Sequence, residues 1–186
     1  LQLNGIKFTS DTDTEIIPHL IGLEIQNLLD KGRSANGQTL LKAVQKVLSL
    51  LEGTYSIAVI WSKAPDALVV ARRQSPLVLG LGEGEFFCAS DTTALAEFTR
   101  TFLPLKNNEI ALLSPLGIEL YDVDGKRQHR SPSLLNGNQL FADKKNFRHF
   151  MLKEIYEQPE TAQLWIDRYL PLDSSSKNLV PLPITK

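Results

Sequence analysis

Up to Leu51 the apolar residues recur at helical spacing, and from Thr54 the sequence becomes a succession of short runs of strand formers. Two helices followed by an antiparallel meander define an α+β chain. The same order argues against alternating βαβ units around a parallel sheet. Ile16, Ile17, Leu20, Ile21, Leu23, Leu28 and Leu29 make the face of a first helix, which Lys31-Gly32-Arg33 ends. Pro18 falls early in it and is expected to bend it. Leu40, Leu41, Val44, Val47, Leu48 and Leu51 line a second helix over Thr39 to Leu51, stopped by Gly53.

The strand runs are Tyr55 to Trp61, Ala67 to Arg72, Leu77 to Gly80, Glu85 to Ala89, Thr101 to Leu103, Glu109 to Leu113 and Gly117 to Val123. Lys63 to Asp66 reads as the turn of the first hairpin. Ser90-Asp91 reads as the cap of a short helix over Thr92 to Thr99. Ahead of the first helix, Gly5 to Phe8 reads as a short strand leading into Thr9-Ser10-Asp11-Thr12-Asp13-Thr14-Glu15, where Thr12 and Glu15 have capping-box spacing. Beyond Arg127 the pattern weakens. Asn146 to Gln158 is expected to be helical, Pro159 to break the helix, and Thr161 to Tyr169 to form a further short piece. The tail from Leu172, with Ser174-Ser175-Ser176, Pro181 and Pro183, reads as an extended linker.

Composition narrows the chemistry. A net charge of −1 offers no broad field for nucleic acid or an acidic membrane, and no apolar run approaches a membrane span. With no secretory leader at Leu1, a cytoplasmic location is the default expectation. Cys88 is the only cysteine, so an intrachain disulfide and a cysteine-based zinc site are excluded. It sits in an apolar run beside Phe86 and Phe87, as inert packing thiols do. Gly80-Leu81-Gly82-Glu83-Gly84-Glu85 imitates a phosphate loop, but Glu85 stands where the third glycine belongs and strand formers flank it, so it reads as a tight turn. His19, His129 and His149 are widely separated. Glu15 lies one helical turn before His19, but that pair would bind a metal only with further ligands that the sequence does not identify, so a surface or core-edge role is the favoured reading and no cofactor is expected. The run Asp11 to Glu15 has two readings. One is helix capping. The other is a rigid carboxylate at the mouth of a helix that meets a ligand's ammonium group through a charge-assisted hydrogen bond.

Several ordered segments resemble one family. Ser10 to Leu20 looks like the S-x-T-D-T-E-hydrophobic stretch of the glutaminase domain of the glucosamine-6-phosphate synthases, the glutamine–fructose-6-phosphate aminotransferases. Gly53 to Val59, Ala71 to Gly82 and Glu85 to Asp91 are similar to later strands of that domain. Arg148 to Pro159 resembles the segment joining it to the sugar-isomerase domain, and separates this family from other class II glutamine amidotransferases.

The resemblance implies an incomplete four-layer α-β-β-α sandwich of the N-terminal-nucleophile, class II amidotransferase type. Residues 1–145 would be the later portion of the glutaminase domain, and 146–186 the linker to the isomerase domain. Glutamine is the implied substrate, with fructose 6-phosphate in the full-length enzyme, which is expected to be a homo-oligomer. Asp13 matches the carboxylate that holds the α-amino group of glutamine; Asp11 is left as a capping residue. The family's catalytic cysteine and oxyanion Asn-Gly pair have no counterpart here. Asn4-Gly5 lies too close to Asp13, and Asn36-Gly37 and Asn136-Gly137 come after it. The expectation is therefore a fragment that shapes the glutamine site and is inactive alone. The alternatives are another class II amidotransferase and a non-catalytic module that keeps the fold.

Overall fold

The computed structural model describes residues 6–134 and 146–169. The chain divides into two compact units, Leu1–Phe141 and Ala142–Lys186. In the first unit the order is α1 (Ile16–Asp30), α2 (Gly37–Leu48), β1 (Tyr55–Trp61), β2 (Ala64–Arg73), β3 (Val78–Leu81), β4 (Phe86–Ala89), β5 (Thr101–Pro104), β6 (Ile110–Ser114), β7 (Gly117–Tyr121), β8 (Arg127–Gln128) and β9 (Ser133–Leu134).

The strands form two antiparallel sheets. One has the order β1-β2-β6-β7-β8 and the other β4-β3-β5-β9. Strands β2 and β6 are apolar on both faces, as strands between two packed layers must be. Val69, Ala71, Ile110 and Leu112 point to a core shared with Ile21, Ile25, Leu40, Val44 and Val47 of the helices. Val70, Ala111 and Leu113 point the other way, against Leu79 and Leu103 of the second sheet and Leu105 just after β5. The outer face of that sheet buries Val78 and Phe102 under Leu95 and Ala96. Helices, sheet and sheet are thus three layers of an α-β-β-α sandwich. Among the described residues the fourth is only the short 3-10 turn Thr92–Leu95, capped by Asp91 through Thr93 N–H. The α+β expectation and the incomplete sandwich both hold.

Several local expectations are corrected. Residues 6–8 join no ladder and so form no strand, since strand formers become a strand only with a partner to bond. Pro18 lies in the first turn of α1, where its missing N–H is one of the unpaired donors anyway, and α1 runs continuously from Ile16 to Asp30. Leu23 is 41% exposed, because Ile17, Ile21, Ile25 and Leu28 already fill the inward face. Gly32, at φ +82°, ends α1 with its N–H on Leu29 O and that of Arg33 on Leu28 O. Helix α2 starts at Gly37, capped by Asn36 Oδ1 on Thr39 N–H at 3.0 Å, and stops at Leu48, before Gly53. The first hairpin turns earlier than the sequence suggests. Trp61 pairs with Ala64 and Ile60 with Leu68, so Pro65 and Asp66 lie in a bulge, where a proline costs no ladder bond. The glycine-rich stretch is the β3–β4 turn, with Gly84 at φ +78°. The capped helix is confined to Thr92–Leu95, and β7 ends at Tyr121.

One clasp ties the sheets together. Arg130, between β8 of one sheet and β9 of the other, donates to both carboxylate oxygens of buried Glu109 at 2.9 and 2.7 Å, and to Pro104 O at 2.8 Å. Lys106 N–H closes the same carboxylate at 2.7 Å.

The second unit contains α3 (Phe150–Tyr169). It runs unbroken through Pro159, where two helical pieces were expected. Proline's fixed φ suits a helix. What it lacks is one N–H, and the turns on either side carry the helix across. Strand start Gly5, the pairs Asn4-Gly5 and Asn136-Gly137, and the tail from Leu172 lie outside the described residues.

Candidate functional site

The approach to α1 is where sequence and chemistry meet. Thr12, in an extended conformation, opens the 3-10 turn Asp13–Glu15, which runs straight into α1. The capping box does not form, since Thr12 makes no side-chain cap. Glu15 reaches further back. Its Oε1 accepts from Thr9 N–H at 2.8 Å and Thr9 Oγ1 at 3.1 Å. Its Oε2 accepts from Ser10 N–H at 2.7 Å and from Ser10 Oγ. His19, one helical turn on, places Nε2 3.3 Å from Oε1, and its ring meets Phe8 edge-on at 5.1 Å between centroids. Ser10 Oγ also lies 2.8 Å from Thr12 Oγ1.

These bonds stabilise the charged carboxylate. The Ser10 hydroxyl is the largest influence, then Thr9 N–H; burial opposes them, and Ser10 N–H and His19 add smaller support to the charged form. Together they hold Glu15 down at about 2. The side chain is only 13% exposed although it sits on a surface turn.

Asp13 occupies the first position of the 3-10 turn and is exposed. Among the described residues it makes no hydrogen bond or ion pair, so both its oxygens are open to solvent or to a ligand. A carboxylate there also faces the positive end of the helix dipole. Asp11 is exposed as well and caps nothing.

The other sequence candidates are not drawn to this turn. Cys88 lies half-buried on β4, and burial pushes its thiol up, away from the thiolate a nucleophile needs. Among the described residues no group of three or more His, Cys, Asp or Glu side chains could hold a metal ion. No described helix is long and apolar enough to cross a membrane.

Sequence reasoning passed over Glu15 by treating it as half of a capping box. The signal lay in Thr9 and Ser10, two hydroxyl residues close enough to be gripped by one carboxylate at the helix entry. It also missed the Glu109–Arg130 clasp, which no local spacing announces.

No family model matches the chain. It is 50% identical over 173 residues to the glutamine–fructose-6-phosphate aminotransferase (isomerizing) of Thermosynechococcus vestitus, covering 93% of this chain and 27% of that protein. It is 47% identical over 169 residues to the enzyme of the same name from a Nostoc species, covering 91% and 26%. The one from Clostridium tetani is 40% identical over 180 residues, covering 94% and 28%. The chain therefore spans about a quarter of the length of the curated relatives it matches. A solved structure described as the allosteric regulatory enzyme of purine biosynthesis has a TM-score of 0.50 and 23% identity, covering 66% of this chain and 24% of that one. That likeness bears on the fold alone.

Proposed function

The chain belongs to the glutamine–fructose-6-phosphate aminotransferase family over the stretch it spans, and on that premise we propose that it forms the glutamine-orienting part of a glutaminase site. Asp13 is the carboxylate that receives the substrate's α-ammonium group. The observation that carries this reading is the turn itself. It is pinned by a largely covered carboxylate at Glu15, and it presents a second carboxylate, Asp13, with no partner among the described residues. A fixed, unpaired carboxylate is what recognition of an ammonium requires. In this reading residues 1–145 are the later portion of a glutaminase domain and 146–186 lead toward a sugar-isomerase domain. The whole enzyme takes ammonia from glutamine and delivers it to fructose 6-phosphate, and works as a homo-oligomer in the cytoplasm.

Within this scheme the 186-residue polypeptide orients substrate and does not cleave it. Amide hydrolysis of this kind needs an activated nucleophile, a base and oxyanion donors within reach of each other. Among the described residues Cys88 has no hydrogen-bonded base, and burial raises its pKa. The polypeptide by itself is expected to release no ammonia from glutamine, and catalytic release would overturn this.

The test of Asp13 is kinetic, in the full natural chain that contains this sequence. Asp13→Ala removes a charge-assisted bond made on binding, so the glutamine KM is expected to rise by about 10- to 100-fold, the equivalent of roughly 1.5–3 kcal/mol, with a smaller change in kcat. An unchanged KM rejects the assignment.

A further inference from the structure

Asp13 has no bond of its own among the described residues, so the direction of its carboxylate is set by the turn beneath it. That turn hangs on one side chain. Glu15 takes four donors from the segment that enters the turn, namely the backbone N–H and hydroxyl of Thr9 and of Ser10. Towards the helix it reaches His19, whose ring is braced against Phe8. One carboxylate thereby closes the chain into a short loop, with Asp11, Thr12, Asp13 and Thr14 as the span between its two ends. Only a few backbone torsions remain free inside a loop of that size.

We propose that Glu15 is the positioning residue for glutamine recognition, gripping Thr9 and Ser10 so that the span between them and α1 presents Asp13 in one fixed direction. This rests on the reading of Asp13 as the ammonium-binding carboxylate. It assigns Glu15 no contact with substrate. Its contribution is to remove the freedom that Asp13 would otherwise lose on binding. Plain helix capping would make a different prediction: loss of Glu15 would lower thermal stability and leave the Michaelis constant alone.

The experiment is a double-mutant cycle on glutamine hydrolysis, in the full natural chain that contains this sequence. Glu15→Ala is expected to raise the glutamine KM about tenfold, with kcat within about twofold. Glu15→Gln keeps a neutral acceptor for the Thr9 or Ser10 N–H and is expected to recover part of the loss. Combined with Asp13→Ala, Glu15→Ala is expected to add little, because the side chain it positions is already gone. The proposal is overturned if Asp13→Ala raises KM while Glu15→Ala does not, or if the two effects multiply in the double variant. If Asp13→Ala leaves KM unchanged, the Asp13 reading fails and takes this one with it. Should Glu15→Ala lose cooperative melting, Ser10→Ala, which removes one donor to the same carboxylate, is read by the same criteria.

Discussion

Glu109 is 6% exposed, and its two oxygens are shared among Arg130 and the Lys106 amide. Burial alone would raise its pKa. The hydrogen bonds from Arg130 and Lys106, with the charge of Arg130, outweigh burial and hold it below the usual carboxylate range. Glu15 is lowered too, to about 2. A carboxylate whose folded pKa lies below its unfolded value contributes stability above the unfolded value, and that contribution is lost as pH falls through the folded one. Both groups therefore act in the same direction. Urea midpoints are expected to hold steady near neutrality and to decline on acidification below the ordinary carboxylate range. The amide resonances of Thr9 and Ser10 should shift with a midpoint near 2, following Glu15. Glu109→Ala strands a guanidinium that is three-quarters covered, and is expected to cost about 3 kcal/mol by urea denaturation. An alanine that melts like the parent would show that Arg130 finds another partner.

Legibility differed sharply among such residues. Asp13 is offered as a candidate by a contiguous motif, so the sequence alone suffices to propose it. The partners of Glu15 were close in sequence but were assigned to the wrong hydroxyl, since a capping box and a longer reach to Ser10 look alike on paper. Glu109 and Arg130 are 21 residues apart, one on the β5–β6 connection and the other on the β8–β9 connection, so only the folded sheets bring them together.

At the scale of elements, hydrophobic period and turn chemistry locate α1, α2 and β1 to β7, but they also place a strand at residues 6–8 that joins no ladder and pass over the two-residue strands β8 and β9. The ends of α2 and β2 are decided by short-range bonds that the hydrophobic period does not display: Asn36 caps α2 through Thr39 N–H, and the Trp61–Ala64 pairing starts β2. Helix α3 departs most from expectation. Pro159 can donate no bond to Ile155 O, so that turn is held less tightly than its neighbours. Pro159→Ala is expected to stabilise the helix by up to about 3 kcal/mol and to deepen the circular dichroism minimum at long wavelength. Within the second sheet, a Cβ added at Gly80 would stand 2.7 Å from Thr99 Cγ2 and 3.2 Å from Leu95 Cδ1. Gly80→Ala is expected to destabilise by about 1–3 kcal/mol, measured by thermal melting, because it pushes the Thr92–Leu95 turn off the sheet.

At the scale of the whole molecule, among the described residues strands β1 and β8 are the edges of the first sheet and β4 and β9 those of the second. Strand β1 presents a seven-residue edge, and Ile60 on it is 79% exposed. An apolar edge of that length is a template for pairing with another chain. The polypeptide by itself is expected to associate in a concentration-dependent way, and Ile60→Lys to shift it toward monomer in size-exclusion chromatography. A parent chain that elutes as a monomer at high concentration would show the edge to be protected.

Strands β2 and β6 lie side by side, yet the chain between them, from Gln74 to Glu109, contains three of the four strands of the other sheet. The second sheet is an excursion that leaves the first and returns to it. While that excursion is unstructured, bringing β6 to β2 means closing a long flexible loop; once β3, β4 and β5 have paired, the ends already lie near each other. Refolding of the helical side of the molecule should therefore wait on a layer it does not touch. Weakening the far face with Phe102→Leu is expected to slow the phase that orders Ile110 to Ser114 against β2, although Phe102 belongs to a core separate from that of Ile110.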